Sequence, residues 1–301
     1  MDMCCCVASR CVLTGTLTIR PSQLHTSLPA RSDGEFKVSA VPSAFPRVDA
    51  RSVANDGSNL ESCSPCAFSQ DCSEQGIDKR GLRELHVLVD HVGPFHAGDH
   101  IFRKGDPFDA IAAVRAGSVK TYVADLDGRE HVLGFYLPGE VIGLDAIDDD
   151  NFTCNAVALD TVTLCRFSFP KISLLAARLP ALQQHLFRLL SRDIGRAALR
   201  AGDFTADQRL AAFLIQLSRR LFARGFSADR FNLTMTRADM ANYLRLAPET
   251  VSRVLRHFLD EGLVRVDRRD VELLDRARLE SLATPALKDP TPARRDGKPS
   301  L

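Results

Sequence analysis

Three thiols stand in a ten-residue polar stretch, Cys63-Ser-Pro-Cys66-Ala-Phe-Ser-Gln-Asp-Cys72. Cysteines at these intervals can converge on one point. A fourth ligand from elsewhere would complete an all-thiolate site for zinc or an iron–sulfur cluster. The plain alternative is free thiols or a disulfide in a loop. A second set could read nucleic acid: Glu249, Ser252, Arg253 and Arg256 form the polar side of a segment whose apolar side is Val251, Val254, Leu255 and Phe258. Arginine can bond bidentately to guanine O6 and N7, glutamate can accept from cytosine N4, and serine can touch thymine or adenine. Thr236 and Thr250 complete the candidate DNA-binding set.

The elements that must position these residues follow from local pattern. Residues 1–60 are rich in Ser, Thr, Pro and Arg without sustained period, and are expected to be a disordered extension; no ligand is expected among Cys4, Cys5, Cys6 and Cys11. Residues 61–77 are the cysteine-rich loop. Leu82, Leu85, Leu88 and Val89 give a helical pattern over Asp78 to Val92. From Phe95 to Phe167, short Val, Ile, Phe and Tyr runs are separated by Gly98, Gly105, Gly117, Gly128, Gly139 and Gly143, which predicts antiparallel strands closing a β-roll over 78–170. Asp127-Gly128 marks a hairpin.

Lys171 to Ala201 reads as helix, with Pro180 at an N-terminal position, within a segment 171–203. Phe187, Leu190, Ile194, Ala197 and Ala201 are spaced by threes and fours as a seam for a second subunit. Leu182, Leu186 and Leu189 supply another side, for the roll. Thr205-Ala-Asp-Gln208 and Thr236-Arg-Ala-Asp239 are capping-box starts. Helix, the turn Arg245-Leu-Ala, the helix Pro248 to Glu261 and a hairpin around Asp267-Arg-Arg-Asp270 predict a winged helix-turn-helix over 204–284. Residues 285–301 are expected to be a disordered tail. The fold class is α+β.

Composition agrees. The 301 residues are 45% hydrophobic and 26% charged, ordinary for a globular protein. No apolar run reaches the ~20 residues that span a bilayer, and no secretory leader is apparent, so a cytoplasmic location without membrane contact is expected. In a reducing compartment nine cysteines favour metal or redox chemistry over a disulfide framework. Residues 85–169 carry 6 Lys and Arg against 13 Asp and Glu, a balance of −7. Residues 204–283 carry 14 against 11, or +3, every base an arginine. The C-terminal part is therefore the candidate anion binder.

The Cys-x2-Cys-x5-Cys loop, the segment Gly134-Phe-Tyr-Leu-Pro-Gly-Glu-Val-Ile-Gly-Leu-Asp145-Ala-Ile, the run Leu233-Thr-Met-Thr-Arg-Ala-Asp-Met-Ala-Asn-Tyr-Leu and Glu249-Thr-Val-Ser252-Arg253 together resemble the FNR branch of the cyclic-AMP-receptor superfamily. These are bacterial oxygen-responsive transcription regulators with a cyclic-nucleotide-binding-like β-roll, a long dimerisation helix and a winged reader. The resemblance covers about residues 60–284.

That resemblance implies a [4Fe-4S] cluster on Cys63, Cys66, Cys72 and one cysteine of the roll. It further implies a homodimer when the cluster is intact, and palindromic TTGAT-type double-stranded DNA sites. Spacing alone does not choose between Cys154 and Cys165; the segment Ala158-Leu-Asp-Thr-Val-Thr-Leu-Cys165 resembles the family segment whose cysteine is a ligand. Asp145 matches the surface that family activators present to RNA polymerase. Two departures are visible: Arg245 replaces a glycine frequent in the turn, and Pro248 stands where cyclic-AMP receptors carry an arginine. No enzymatic constellation is evident. A zinc-stabilised domain is one rival reading. The other is a cyclic-nucleotide-gated regulator, but Asn151-Phe-Thr-Cys-Asn-Ala-Val supplies no arginine for a phosphate, so no cyclic AMP is expected.

Overall fold

The computed structural model describes residues 79–287. The cysteine loop with Cys63, Cys66 and Cys72, the extension before it and the last residues lie outside that span. Helix α1 (Lys79–Val87) leads into strand β1 (Val89–Phe95). The helical pattern expected as far as Val92 therefore stops earlier. Val89 and Val92 pair with Phe167 and Leu164 of a neighbouring strand, and strand pairing of β-branched residues prevails over the helical spacing.

The roll follows with β2 (His100–Phe102), β3 (Ala110–Ala116), β4 (Val119–Ala124), β5 (Glu130–Tyr136), β6 (Val141–Ile142), a 3-10 turn (Leu144–Ala146), β7 (Asn155–Ala158) and β8 (Val162–Ser168). Two four-stranded antiparallel sheets result, ordered β1-β8-β3-β6 and β2-β7-β4-β5. Gly128 takes φ +77° in the β4–β5 turn, a conformation that favours glycine. Strand alternation sorts β8: Val162 and Leu164 join the roll interior, whereas Cys165 and Phe167 face the helices. The interior is closed by Phe102 stacked on Phe152 at 3.9 Å, with Phe108 edge-on at 5.4 Å.

Helix α2 (Phe169–Arg178) and the long α3 (Pro180–Ala201) return over the outer face, with Pro180 in the first turn of α3. Leu182 and Leu189 are buried against Leu85, Ile111, Val141 and Phe167. The reader comprises α4 (Ala206–Phe222), β9 (Arg230–Asn232), α5 (Arg237–Leu244), α6 (Pro248–Asp260), β10 (Val264–Asp267), β11 (Asp270–Leu273) and α7 (Arg276–Leu287), with its strands ordered β10-β11-β9. Helix α7 corrects the expected tail, because order continues past residue 284, through Pro285, to Leu287. Leu279, Ala283 and Ala286 are buried in the reader core, and that packing makes the segment helical.

The reader core is not self-contained. Val132, Phe135 and Leu137 of the roll belong to the same buried cluster as Leu210, Phe213 and Leu214 of α4. Phe135, Phe213 and Tyr243 form a ring cluster with centroids 5.2–6.1 Å apart.

Candidate nucleic-acid interface and thiol face

The reading helix is α6. Both helices of the motif are delimited as their sequence requires. Thr236 caps α5: the Asp239 amide donates to its Oγ1 at 3.0 Å, and its own amide donates to Asp239 Oδ2 at 3.0 Å. The Thr236 hydroxyl also donates to Asp239 Oδ2 at 2.6 Å, so a DNA contact from Thr236 competes with its cap. Arg245 ends α5 in the left-handed region, φ 56°. An arginine there costs about 1 kcal/mol relative to glycine. Leu246 then donates its amide to the Ala241 carbonyl, and Pro248 opens α6.

Val251, Val254, Leu255 and Phe258 are buried, whereas Glu249, Ser252, Arg253 and Arg256 are exposed along the opposite side and Thr250 is half-buried. Among the described residues Glu249 and Arg253 have no hydrogen-bond partner. Ser252 Oγ donates to the Pro248 carbonyl at 3.0 Å, and Arg256 pairs with Asp260 at 3.1 Å one turn on. Arg253 and Glu249 thus face solvent uncommitted, while Arg256 is shared. Arg268, φ 53°, and Arg269 stand exposed at the tip of the β10–β11 wing, where the hairpin around Asp267-Arg-Arg-Asp270 was expected.

Cys165 is 4% exposed and faces the helical side of its sheet, in one cluster with Leu85 of α1. His91 and Ala113 are its cross-strand partners, and His91 Nδ1 lies 3.7 Å from its sulfur. Burial, then Arg115, pulls the His91 pKa below the ordinary histidine value. Cys154 faces the opposite way, into the roll interior beside Phe102 and Phe152; burial, then Asp145, pushes its thiol pKa up. The two candidate fourth ligands therefore occupy different compartments. Among the described residues no three His, Cys, Asp or Glu side chains group to hold a metal.

On α3, Phe187 is 60% and Ile194 71% exposed, while Leu190 packs partly against the roll. Ala197 and Ala201 lie on the same helix, their side chains outside the description. Asp145 is exposed in the 3-10 turn and accepts a hydrogen bond from Thr153 Oγ1.

Sequence reasoning missed the polar contacts joining roll to reader. Glu140, 7% exposed, accepts from Arg220 Nε at 2.8 Å and Arg196 Nη2 at 2.9 Å. Lys120 bridges Glu130 at 2.7 Å and Asp239 at 2.8 Å; burial works against its charge, and these bonds outweigh burial and hold its pKa above the ordinary lysine value. The Val132 amide donates to Asn242 Oδ1 at 2.8 Å. Apart from Lys120 and Glu130, ten residues apart within the roll, these partners lie 56 to 119 residues apart, and no local pattern pairs them.

A β-roll joined through a long helix to a winged helix-turn-helix with an exposed arginine-bearing reading helix defines a DNA-binding transcription regulator. Residues 93–178 match the cyclic nucleotide-binding domain family, and residues 208–282 match the Crp-like helix-turn-helix domain family. The chain is 38% identical over 224 residues to the transcriptional activator protein anr of Pseudomonas aeruginosa, covering 73% of this chain and 92% of that one. It is 38% identical over 228 residues to the transcriptional activator protein FnrA of Stutzerimonas stutzeri, covering 75% and 93%. Against the anaerobic regulatory protein of Pasteurella multocida it is 35% identical over 236 residues, covering 77% and 86%. Among solved structures, FixK2 from Bradyrhizobium japonicum aligns with TM-score 0.58 and 25% identity over 65% of this chain and 97% of that one. The chain belongs to the CRP/FNR family of transcription regulators and is not an enzyme. Among the described residues no helix is long and apolar enough to cross a membrane.

Proposed function

We propose that this regulator responds to oxygen through a [4Fe-4S] cluster held by Cys63, Cys66, Cys72 and Cys165. In this reading it pairs through Phe187, Leu190, Ile194, Ala197 and Ala201, and binds palindromic TTGAT-type DNA when the cluster is intact. The observation that carries the reading is the placement of Cys165. Its sulfur lies on the face covered by α1, the helix that the cysteine loop feeds, and its surroundings are Leu85, Ile111, Ala113 and Phe167. A buried thiol on that face, with His91 Nδ1 3.7 Å from its sulfur, suits an iron–sulfur ligand. Cys154, enclosed by the opposite face, would need the roll opened to meet the loop.

When bound, the cluster supplies an oxygen-labile link between the loop and β8. The chain supplies the rest. Leu85 seats α1 on the sheet; β8 runs through Ser168 into α2 and then α3; and Arg196 of α3 and Arg220 of α4 meet on Glu140. Tension at Cys165 thus falls on an element continuous with the pairing helix and, through Glu140, on the reader. Nucleotide gating has less support, because the segment Asn151-Phe-Thr-Cys-Asn-Ala-Val leading into β7 supplies no arginine for a phosphate.

Fluorescence anisotropy on a labelled TTGAT palindrome tests this. Protein prepared without oxygen binds specifically, and the same sample loses that binding on exposure to air. Binding indifferent to air contradicts the proposal.

A further inference from the structure

Lys120 stands on β4, where its neighbour Val119 lies in the roll interior and strand alternation turns the lysine side chain outward. It is nevertheless buried, with α5 of the reader against that face. Its ammonium donates to Glu130 Oε2 of β5 at 2.7 Å and to Asp239 Oδ1 of α5 at 2.8 Å, and lies 5.1 Å from the centre of the Tyr122 ring. A buried ion pair rarely stabilises a fold more than apolar side chains of the same size, so stability alone does not call for a lysine here.

Asp239 divides its carboxylate between two tasks. Oδ2 accepts from the Thr236 amide and hydroxyl, closing the cap of α5, and Oδ1 goes to the roll. One side chain thus fixes the start of α5 and ties it to the sensor sheet. The contacts on either side keep the same alignment: Ser118 Oγ donates to Thr234 Oγ1 at 2.6 Å just before the cap, and Asn242, one turn on, accepts from the Val132 amide at 2.8 Å and donates to the Glu130 carbonyl at 2.5 Å. Helix α5 passes its placement on. Only the short Arg245 turn separates it from α6, and Met240 and Leu244 share one buried cluster with Val251, Leu255 and Phe258. The two helices therefore move as a unit. With the roll docked, Glu249, Ser252, Arg253 and Arg256 remain exposed, so the contact braces the reader without covering its reading face.

We propose that Lys120 is a positioning residue for DNA reading: through Asp239 it sets the placement of α5, and with it α6, against the sensor roll. A change in β4 or β5 then reaches the reading helix across this contact without passing along α3. A displaced α6 loses contacts to base edges and keeps the sequence-independent attraction to phosphates, so the effect falls on discrimination. The proposal rests on the chain being a DNA-binding regulator, and on neither the cluster nor the half-site sequence.

Competition anisotropy on protein prepared without oxygen, comparing a TTGAT palindrome with an unrelated duplex, is the test. The ratio of the two affinities is the readout, because a smaller folded fraction lowers both alike and cancels. Lys120→Met is expected to lower the ratio about fivefold or more, Asp239→Asn, which keeps an acceptor for the Thr236 cap, to lower it similarly, and the double variant to add little to either. Should Lys120→Met melt well below the parent, Asp239→Asn alone carries the test. An unchanged ratio, or losses that simply add, overturns the proposal. Should the parent itself show no preference for the palindrome, the half-site reading fails and amide exchange decides for Lys120. In Lys120→Met the amides of α5 then exchange faster than in the parent while those of α7 keep the parent rates; unchanged exchange in α5, or a rise spread evenly over the reader, overturns the proposal.

Discussion

Glu140 of the roll and Arg220 of α4 form a two-bond ion pair, Nε to Oε1 at 2.8 Å and Nη2 to Oε2 at 2.5 Å, and Arg220 also donates to the Phe135 carbonyl at 2.5 Å. Arg196 of α3 completes the cluster. Three parts of the molecule therefore meet on one carboxylate. Burial alone would raise the Glu140 pKa, but Arg220 and Arg196 outweigh it and hold the carboxyl at about 2. The folded value lies below the unfolded one of about 4.3, so this stabilisation is complete above roughly pH 5 and is lost as pH falls through 4 toward 2. Glu140→Gln leaves Arg220 without its counter-charge and costs about 3 kcal/mol in denaturant unfolding at pH 7. The variant also shows a flatter loss of stability between pH 5 and 2; an unchanged acid limb would count against the cluster.

Asp193 titrates in the opposite sense. Burial, and then Glu140 against the opposing pull of Arg196, raise its pKa to about 6. A raised acid favours the folded state most when protonated, so its contribution fades as pH rises through 6. Asp193→Asn removes that fade. Thermal melts of the variant gain on the parent at pH 8 and lose the advantage near pH 5; the reverse ordering contradicts the assignment.

Arg253 and Glu249 face solvent from α6 without partners among the described residues. Arg253→Ala is expected to lose ~1–3 kcal/mol per half-site at the guanine position and to relax discrimination there. Competition binding checks this, and an equal loss on unrelated DNA would remove Arg253 from base reading.

In the proposed pairing the seam would end on Ala197 and Ala201, and alanine carries little apolar area to bury at roughly 25 cal/mol per Å². Ala197→Leu should yield dimers without the cluster. Sedimentation of the cluster-free variant as a monomer would argue for another interface. Asp145, exposed in its turn, is expected to touch RNA polymerase; Asp145→Ala then lowers transcription with DNA affinity intact, and a matching fall in both would refute the contact.

What sequence disclosed was local. The capping boxes at Thr205 and Thr236, the Asp127-Gly128 hairpin and the Arg245 turn each write their geometry within four residues, and each is present. Helix α7 was not legible: residues 276–284 fell within the expected reader without a helix assigned and 285–287 in the expected tail, and the burial of Leu279 and Ala283 in the reader core makes the segment helical. The strand at Val89 was misread for the same reason, since its partner Phe167 lies far along the chain. The compartments of Cys154 and Cys165 depend on which face each strand turns inward, which spacing from the loop does not encode. The Glu140 cluster arises only when segments 56 and 80 residues apart meet.

The central claim rests on what the thiols hold. Iron and acid-labile sulfide measured on protein purified without oxygen test it most directly, with Cys165→Ser and Cys154→Ser prepared alongside. The account predicts a brown protein with about four of each per chain that bleaches in air, colour lost in Cys165→Ser and kept in Cys154→Ser. A colourless protein carrying stoichiometric zinc, or a cluster kept by Cys165→Ser and lost from Cys154→Ser, would contradict it.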